Sequence, residues 1–274
     1  MCIRDSNREG SGRASSYVKA LDLLSEMLRI EPYDYDDCTE IWSVNSAERL
    51  QQLRDFVLKE KKKGSASPWR NDSMPVSYLR DGYCSAALSQ LIEFLPQHQY
   101  SEWVLNTVKT HKGNGNELKQ KLNTEPVYPK SLVHDYASQD GIDIIRKAKA
   151  RIGQGAFRKM ILHIYQNRCC LTGLDIPSIN RASHIVGWAK RTETRMDPQN
   201  GLCLSATYDA AFDKHLISFD QDYRLLISKD ITDHYTSESV KKHFIKHRGR
   251  YMDLPKKYIP KQSYLEEHRQ LGNF

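Results

Sequence analysis

The strongest constraint on this chain is the order of polar residues set into short apolar runs between Arg168 and Phe219, RCCLTGLDIPSINRASHIVGWAKRTETRMDPQNGLCLSATYDAAFDKHLISF. Ala182 to Val186 and Leu202 to Ser205 are apolar runs of strand length, and the polar loop between them holds Lys190, Arg191 and Arg195. A helix-like piece from about Ala206 to Lys214 follows, carrying Tyr208, Asp209 and Asp213. Upstream, Phe157, Met160, Ile161 and Ile164 recur at i, i+3, i+4 and i+7, which predicts a helix over about Gly155 to Asn167. Gly173 permits a tight turn after the Cys-Leu-Thr segment. LISFDQDYRLLIS predicts a hairpin turned at Asp220 to Asp222. The expected unit is a two-stranded ribbon with a helix packed across it and a closing hairpin.

Within that frame the wording is specific. Cys170, Thr172 and Gly173 come first; then Ser183, His184 and Ile185; then Asn200, Gly201, Leu202 and Leu204; then Phe212 and Asp213. This ordered set resembles the HNH endonuclease family, in its restriction-endonuclease-like branch, and the run RIGQGAFRKMILHIYQNRCC resembles the helix that precedes the nuclease core there. The resemblance covers Arg151 to about Ser228. It implies an α+β protein whose C-terminal half is a ββα-metal nuclease domain, hydrolysing DNA phosphodiester bonds with one divalent ion. His184 takes the general-base role, which suits imidazole because its unperturbed pKa lies closest to neutrality. Asn200 takes the family's middle position, orienting the loop and the base.

Two positions depart from the family pattern. Ser183 stands where many members have an acidic residue, and Tyr208 stands where a histidine ligand is usual. Tyr208 is expected to act as a ligand, a phosphate contact or a positioning group. Asp209 and Asp213, one helical turn apart, are the carboxylates available to hold the ion; oxygen ligands point to magnesium or manganese. His215 lies seven residues past Tyr208 and is expected to leave the helix. Arg181, Lys190, Arg191, Arg195 and Lys214 are the expected phosphate contacts on double-stranded DNA. The altered positions also support a second reading, a catalytically inactive DNA-binding module on the same scaffold. Cys169, Cys170 and Cys203 include only one adjacent pair, a weak pattern for structural zinc, and are expected to pack as small core groups.

Charge is unevenly placed. Between Arg146 and Arg195 there are eleven Lys or Arg against Asp175 and Glu193, and between Lys241 and Lys261 eight against Asp253. With a net charge of +7 overall, the remainder of the chain is acidic, so a polyanion partner is expected for the second half. Mean hydropathy of -0.67 and the lack of an apolar run near roughly eighteen residues argue against a membrane span. No segment is ordered as a signal peptide, and the six cysteines have no framework spacing; a cytoplasmic protein with reduced thiols is the expectation. The pattern is compatible with a homodimer and does not specify one.

The opening MCIRDS reads as a translated sequencing adapter, so Met1 to about Ser11 is not expected to belong to the fold, with the true N-terminus expected elsewhere. A helical domain is expected over 12–98. Tyr17, Leu21, Leu24 and Leu28 predict a first helix ended by Pro32. A second opens at Asn45 with Glu48 as a capping box and stops at Gly64. A third carries Cys84, Leu88, Leu91 and Leu95 and is closed by Pro96, with loop chemistry in GSASPWRNDSMP. Such a bundle resembles the helical core-binding domain of tyrosine recombinases, implying a DNA clamp; its acidic balance favours an interaction or dimerisation module instead. Residues 99–138, polar and rich in Gly, Asn and Pro, are expected as a linker, leaving 139–274 for the nuclease domain and its basic tail.

Overall fold

The structure, a computed structural model, describes residues 12–70, 75–123 and 139–274. MCIRDS, four residues of the loop before Pro75 and the later part of the expected linker lie outside the described residues. Among the described residues the chain divides into two compact units, one holding those up to Gln99 and 139–149, the other 100–123 and Ala150 to Phe274. The result is a mixed fold of helices with two small antiparallel sheets. No described helix is long and apolar enough to cross a membrane.

In the first unit, α1 (Gly12–Ile30), α2 (Ala47–Lys63), α3 (Val76–Arg80) and the beginning of α4 (Tyr83–Thr110) contribute a shared core. Leu21, Leu24 and Leu28 meet Leu50, Leu53, Val57, Cys84 and Leu88 there, around the buried Trp69. The Trp69 indole has a polar edge to satisfy, and its Nε1 donates to the Glu31 carbonyl at 3.0 Å. The α2 cap is Ser46, one residue later than expected, its Oγ accepting from Arg49 N at 3.2 Å. The expected stop at Pro96 does not occur, because α4 continues to Thr110. Proline removes one N–H and strains one turn, but Leu91, Ile92 and Leu95 before it and Val104 and Val108 after it are buried, and that packing holds the helix through the break.

The expected linker also begins as structure. After α4, Asn114 caps α5 (Gly115–Leu122) by accepting from Asn116 N and Glu117 N, and the helix buries Leu118 and Leu122. Its polarity misleads because only one face is buried, while Asn116 accepts from Lys261 and Lys119 pairs with Asp197 and reaches Tyr264 within the same unit.

α6 (Gln139–Ile164), which belongs to the second unit from Ala150 on, starts earlier than its apolar periodicity suggests and is ended by left-handed Gln166 and Asn167, φ 53 and 61. β1 (Asn180–His184) pairs antiparallel with β2 (Gly201–Ser205), setting His184 opposite Gly201 and Ser183 opposite Leu202. α7 (Ala206–Asp213) crosses this ribbon, and β3 (Ile217–Phe219) pairs with β4 (Leu225–Ile227). Then come α8 (Lys229–His234), α9 (Glu238–His243) and α10 (Gln262–Arg269). β1 ends two residues before the predicted Val186. The cause is local, since both the N–H and the carbonyl of Val186 bond to the Asn200 side chain instead of to a strand.

α10 is tied to the ribbon helix by a buried imidazole. His268 stacks on Phe212 at 3.8 Å, and its Nε2 lies 3.0 Å from the Phe212 carbonyl, which can only accept, so that nitrogen carries the proton. The Ser218 hydroxyl then donates to Nδ1 at 2.9 Å. Burial lowers the pKa of His268 to about 4, against a partial offset from the Phe212 carbonyl. A folded pKa below the unfolded one means that the unfolded state binds the proton first, so this contribution is intact above about pH 6.5 and lost as pH falls toward 4. In urea denaturation across that range, His268→Gln should lower stability at neutral pH by about 1–3 kcal/mol and flatten the acid-side decline.

Candidate active site

The ribbon, α7 and the second half of α6 enclose a cleft of about 390 Å³. His184 lines it from the end of β1, Ser183 from the same strand, and Asp209 and Asp213 from successive turns of α7. The i, i+4 spacing puts both carboxylates on one helix face. Ser183 Oγ donates to Asp209 Oδ1 at 2.5 Å, so the serine found in place of an acid orients one of them. The Asp213 pKa is raised, first by burial and then by the charge of Asp209.

His184 is fixed on three sides. Its ring stacks on Phe157 at 3.6 Å, meets the edge of Trp188 at 5.4 Å, and its Nε2 lies 3.0 Å from the Arg195 carbonyl. A carbonyl only accepts, so Nε2 carries the hydrogen and Nδ1 keeps its lone pair. Burial lowers the pKa to about 4, with the Arg195 carbonyl opposing that shift, so the ring is neutral at physiological pH. Gly201 makes the stack possible. A Cβ there would sit 2.7 Å from Phe157 Cζ and 2.4 Å from Ile161 Cδ1, forcing the ring beneath His184 to move.

Asn200 is fully buried and does not line the cleft. Its Oδ1 accepts from Val186 N at 2.8 Å, and its Nδ2 donates to Val186 O and Thr194 O, each at 3.0 Å. Thr194 precedes Arg195, whose carbonyl orients His184, so the amide acts on the imidazole through the loop. That loop is anchored again at the buried Asp197, which accepts from Tyr264 Oη at 2.9 Å and pairs with Lys261 at 3.3 Å and Lys119 at 3.7 Å. Asn123 Nδ2 adds a bond to Glu193 O at 2.9 Å.

Tyr208 is not brought to the cleft. It is buried, its hydroxyl donates to the His243 carbonyl, and its ring faces Phe244 and His247. Of the expected phosphate contacts, Arg181 is exposed and lines the cleft. Arg191 forms an ion pair with Glu267, and Lys190 lies 4.0 Å from the same carboxylate. Arg195 donates to the Trp188 carbonyl at 2.9 Å and lies over its ring. Lys214 is exposed at the end of α7. His215 leaves the helix with φ 55 and faces His268, Nδ1 to Nε2 at 3.1 Å.

Sequence reasoning missed the α6 wall. Gln154 and Arg158, one turn apart on either side of Phe157, line the cleft. The Arg158 guanidinium donates to the carbonyls of Asn180 and Pro177, and its pKa is lowered by burial and then by Arg181. The available signal was the helix phase, which places Gln154 and Arg158 beside the apolar face carrying Phe157. Cys169, Cys170 and Cys203 are all buried, and Cys169 Sγ accepts from Ser205 N and Thr172 N.

The donor set suits a hard divalent cation of the magnesium type, which takes one or two carboxylates and completes its shell with water and phosphate. Among the described residues no group of three His, Cys, Asp or Glu converges, so an all-protein cage does not fit. The HNH endonuclease family model matches residues 169–220, the stretch holding the ribbon, the loop and α7. Comparison with curated proteins returns no match.

If the Asn200 amide holds the loop, Asn200→Ala strands buried groups at Val186 and Thr194 and should cost at least about 2 kcal/mol in urea denaturation. Asn200→Asp keeps the shape but sets a carboxylate against two carbonyl oxygens. It should be no less destabilising, and limited proteolysis should cut within 187–199 in both variants.

Proposed function

We propose that the C-terminal half is a DNA endonuclease that hydrolyses phosphodiester bonds in the cleft, with His184 as general base. The observation that carries this is a neutral, rigidly held imidazole sharing one cleft with two carboxylates, inside the stretch that matches the HNH endonuclease family. In the step, the oxygen of a water molecule bonds to phosphorus, its proton passes to His184 Nδ1, and the bond from phosphorus to the 3′ oxygen breaks. The Arg195 carbonyl stabilises the imidazolium through Nε2–H. Asp209 and Asp213 would hold magnesium or manganese, and the bound ion would offset charge developing on the phosphate and the leaving oxygen. Arg181 and Arg158 line the same cleft with positive charge, which suits phosphate binding. Asn200 serves as a positioning residue, and Tyr208 takes no part at the reacting atoms. A restriction-type defence role rests on the family resemblance alone, as does a DNA-clamping or interaction role for the helices of 12–98.

A second reading, a DNA-binding module without catalysis, is favoured by one observation: the cleft offers two carboxylates where a third protein ligand is lacking among the described residues. Plasmid cleavage separates the two. The wild type should nick or linearise plasmid with magnesium or manganese, and His184→Ala should lose about 10²–10⁴-fold in rate while remaining folded by circular dichroism. Asp209→Asn and Asp213→Asn should shift the metal dependence to higher ion concentration. Duplex binding by the wild type with no cleavage under any divalent ion would favour the second reading.

A further inference from the structure

α7 has a second role that the chemistry leaves unused. Its Asp209 and Asp213 line the cleft, while Tyr208 turns the other way and holds a basic segment of the chain. Besides the Tyr208 bond to the His243 carbonyl, the phenol ring packs against Phe244 at 5.7 Å and His247 at 6.5 Å. The segment is then fastened to the hairpin. Gly249 N donates to Leu225 O and Leu225 N to Arg250 O, each at 2.9 Å; Met252 N donates to Tyr223 O at 2.9 Å; and Asp253 N donates to Cys170 O at 2.7 Å. Arg224 and Tyr251 form a further antiparallel bridge.

The backbone of this segment is thus fixed, and its cations are not neutralised. Lys242, Lys246, Arg248, Arg250, Lys256 and Lys257 are all exposed, and among the described residues none of the six is in an ion pair. Lys241 alone is paired, with Glu238. The field is felt locally, since the His247 pKa is lowered by burial and then by Arg250, Lys246 and His243. An ordinary solvated charge run needs no pinned backbone. Ordering one against mutual repulsion is the arrangement of a surface that meets an extended polyanion.

We infer that residues 237–257 form a duplex-binding arm, docked on α7 by Tyr208, that grips the sugar-phosphate backbone of the DNA whose scissile phosphate enters the cleft. This rests on the nuclease reading. Duplex DNA is favoured because arm and cleft flank one helix, which is about 10 Å across, and a duplex carries a phosphate charge every ~1.7 Å of axis. A strand seated in the cleft therefore runs further phosphates past the arm.

The test is fluorescence anisotropy of a labelled duplex with the full chain, in EDTA so that nothing is cleaved, over a series of salt concentrations. Lys246→Gln combined with Arg248→Gln and Arg250→Gln should weaken binding about tenfold or more and reduce the slope of log affinity against log salt by about 2–3. These side chains are exposed, so circular dichroism and the unfolding midpoint should be unchanged. Tyr208→Ala should weaken binding in the same direction by releasing the arm. Wild-type binding with unaltered affinity and slope in the triple variant would overturn the arm and leave the nuclease reading standing. Absence of duplex binding by the wild type would remove both. Retained duplex binding, with loss of binding to phosphatidylserine vesicles, would assign the arm to an anionic surface and overturn the inference.

Discussion

The second unit depends on one side-chain amide. Asn200 sits where the loop returns to the ribbon, and its three bonds do the work that two more residues of strand would otherwise do: they end β1, close the loop and fix Thr194. Because the next carbonyl, that of Arg195, sets the tautomer and the tilt of His184, a buried amide that touches no substrate decides which imidazole nitrogen has a lone pair. Carboxylate could not replace it, since two of the three partners are carbonyl oxygens. The glycine that follows is part of the same solution. It lets Phe157 approach the ribbon closely enough to support the ring.

A second consequence is the economy of α7. Eight residues present carboxylates to the cleft, Phe212 to the core and Tyr208 to a distant stretch of chain. Position on the helix separates these roles, because neighbours in sequence are about 100° apart around the axis. The departure from the family pattern at Tyr208 therefore removes nothing from the cleft as it is built here. Asp209 and Asp213 remain there, and the pKa of Asp213 is raised first by burial and then by the charge of Asp209.

Legibility in the sequence followed the range of the interaction. That His184, Asp209 and Asp213 share one cleft follows from a local setting of strand-length apolar runs and i, i+4 spacing, while Asn200 falls where the loop returns to the ribbon and off the cleft. The α4 helix through Pro96 and the α5 helix do not follow from such a setting, because both are held by burial and by contacts far along the chain, against locally unfavourable composition. The direction of Tyr208 required knowing that residues 243–247 lie on that face. Arg158 and Gln154 were hidden because helix periodicity marks the apolar stripe and leaves its polar flanks unassigned. The cations of the loop were legible as charges and illegible as partners, since Glu267 lies 76 residues from Arg191.

That last point changes how the net charge is understood. Composition counts every cation equally, yet Lys119 and Lys261 neutralise Asp197, Arg191 and Lys190 face Glu267, and Arg195 lies on Trp188. Asp197 and Glu267 offset part of the charge of these five cations at short range, and the contacts hold the loop that positions His184. Further exposed cations stand at Arg181, which lines the cleft with Asp209 and Asp213, at Lys214 beside Asp213, and in the segment beyond His243. Arg181 lines the cleft beside α7, Lys214 ends that helix and Tyr208 holds the segment, so these cations are gathered around one short helix. A fold that used its cations in the reverse way, with the loop's exposed and the tail's paired, would have the same net charge of +7 and no such grouping.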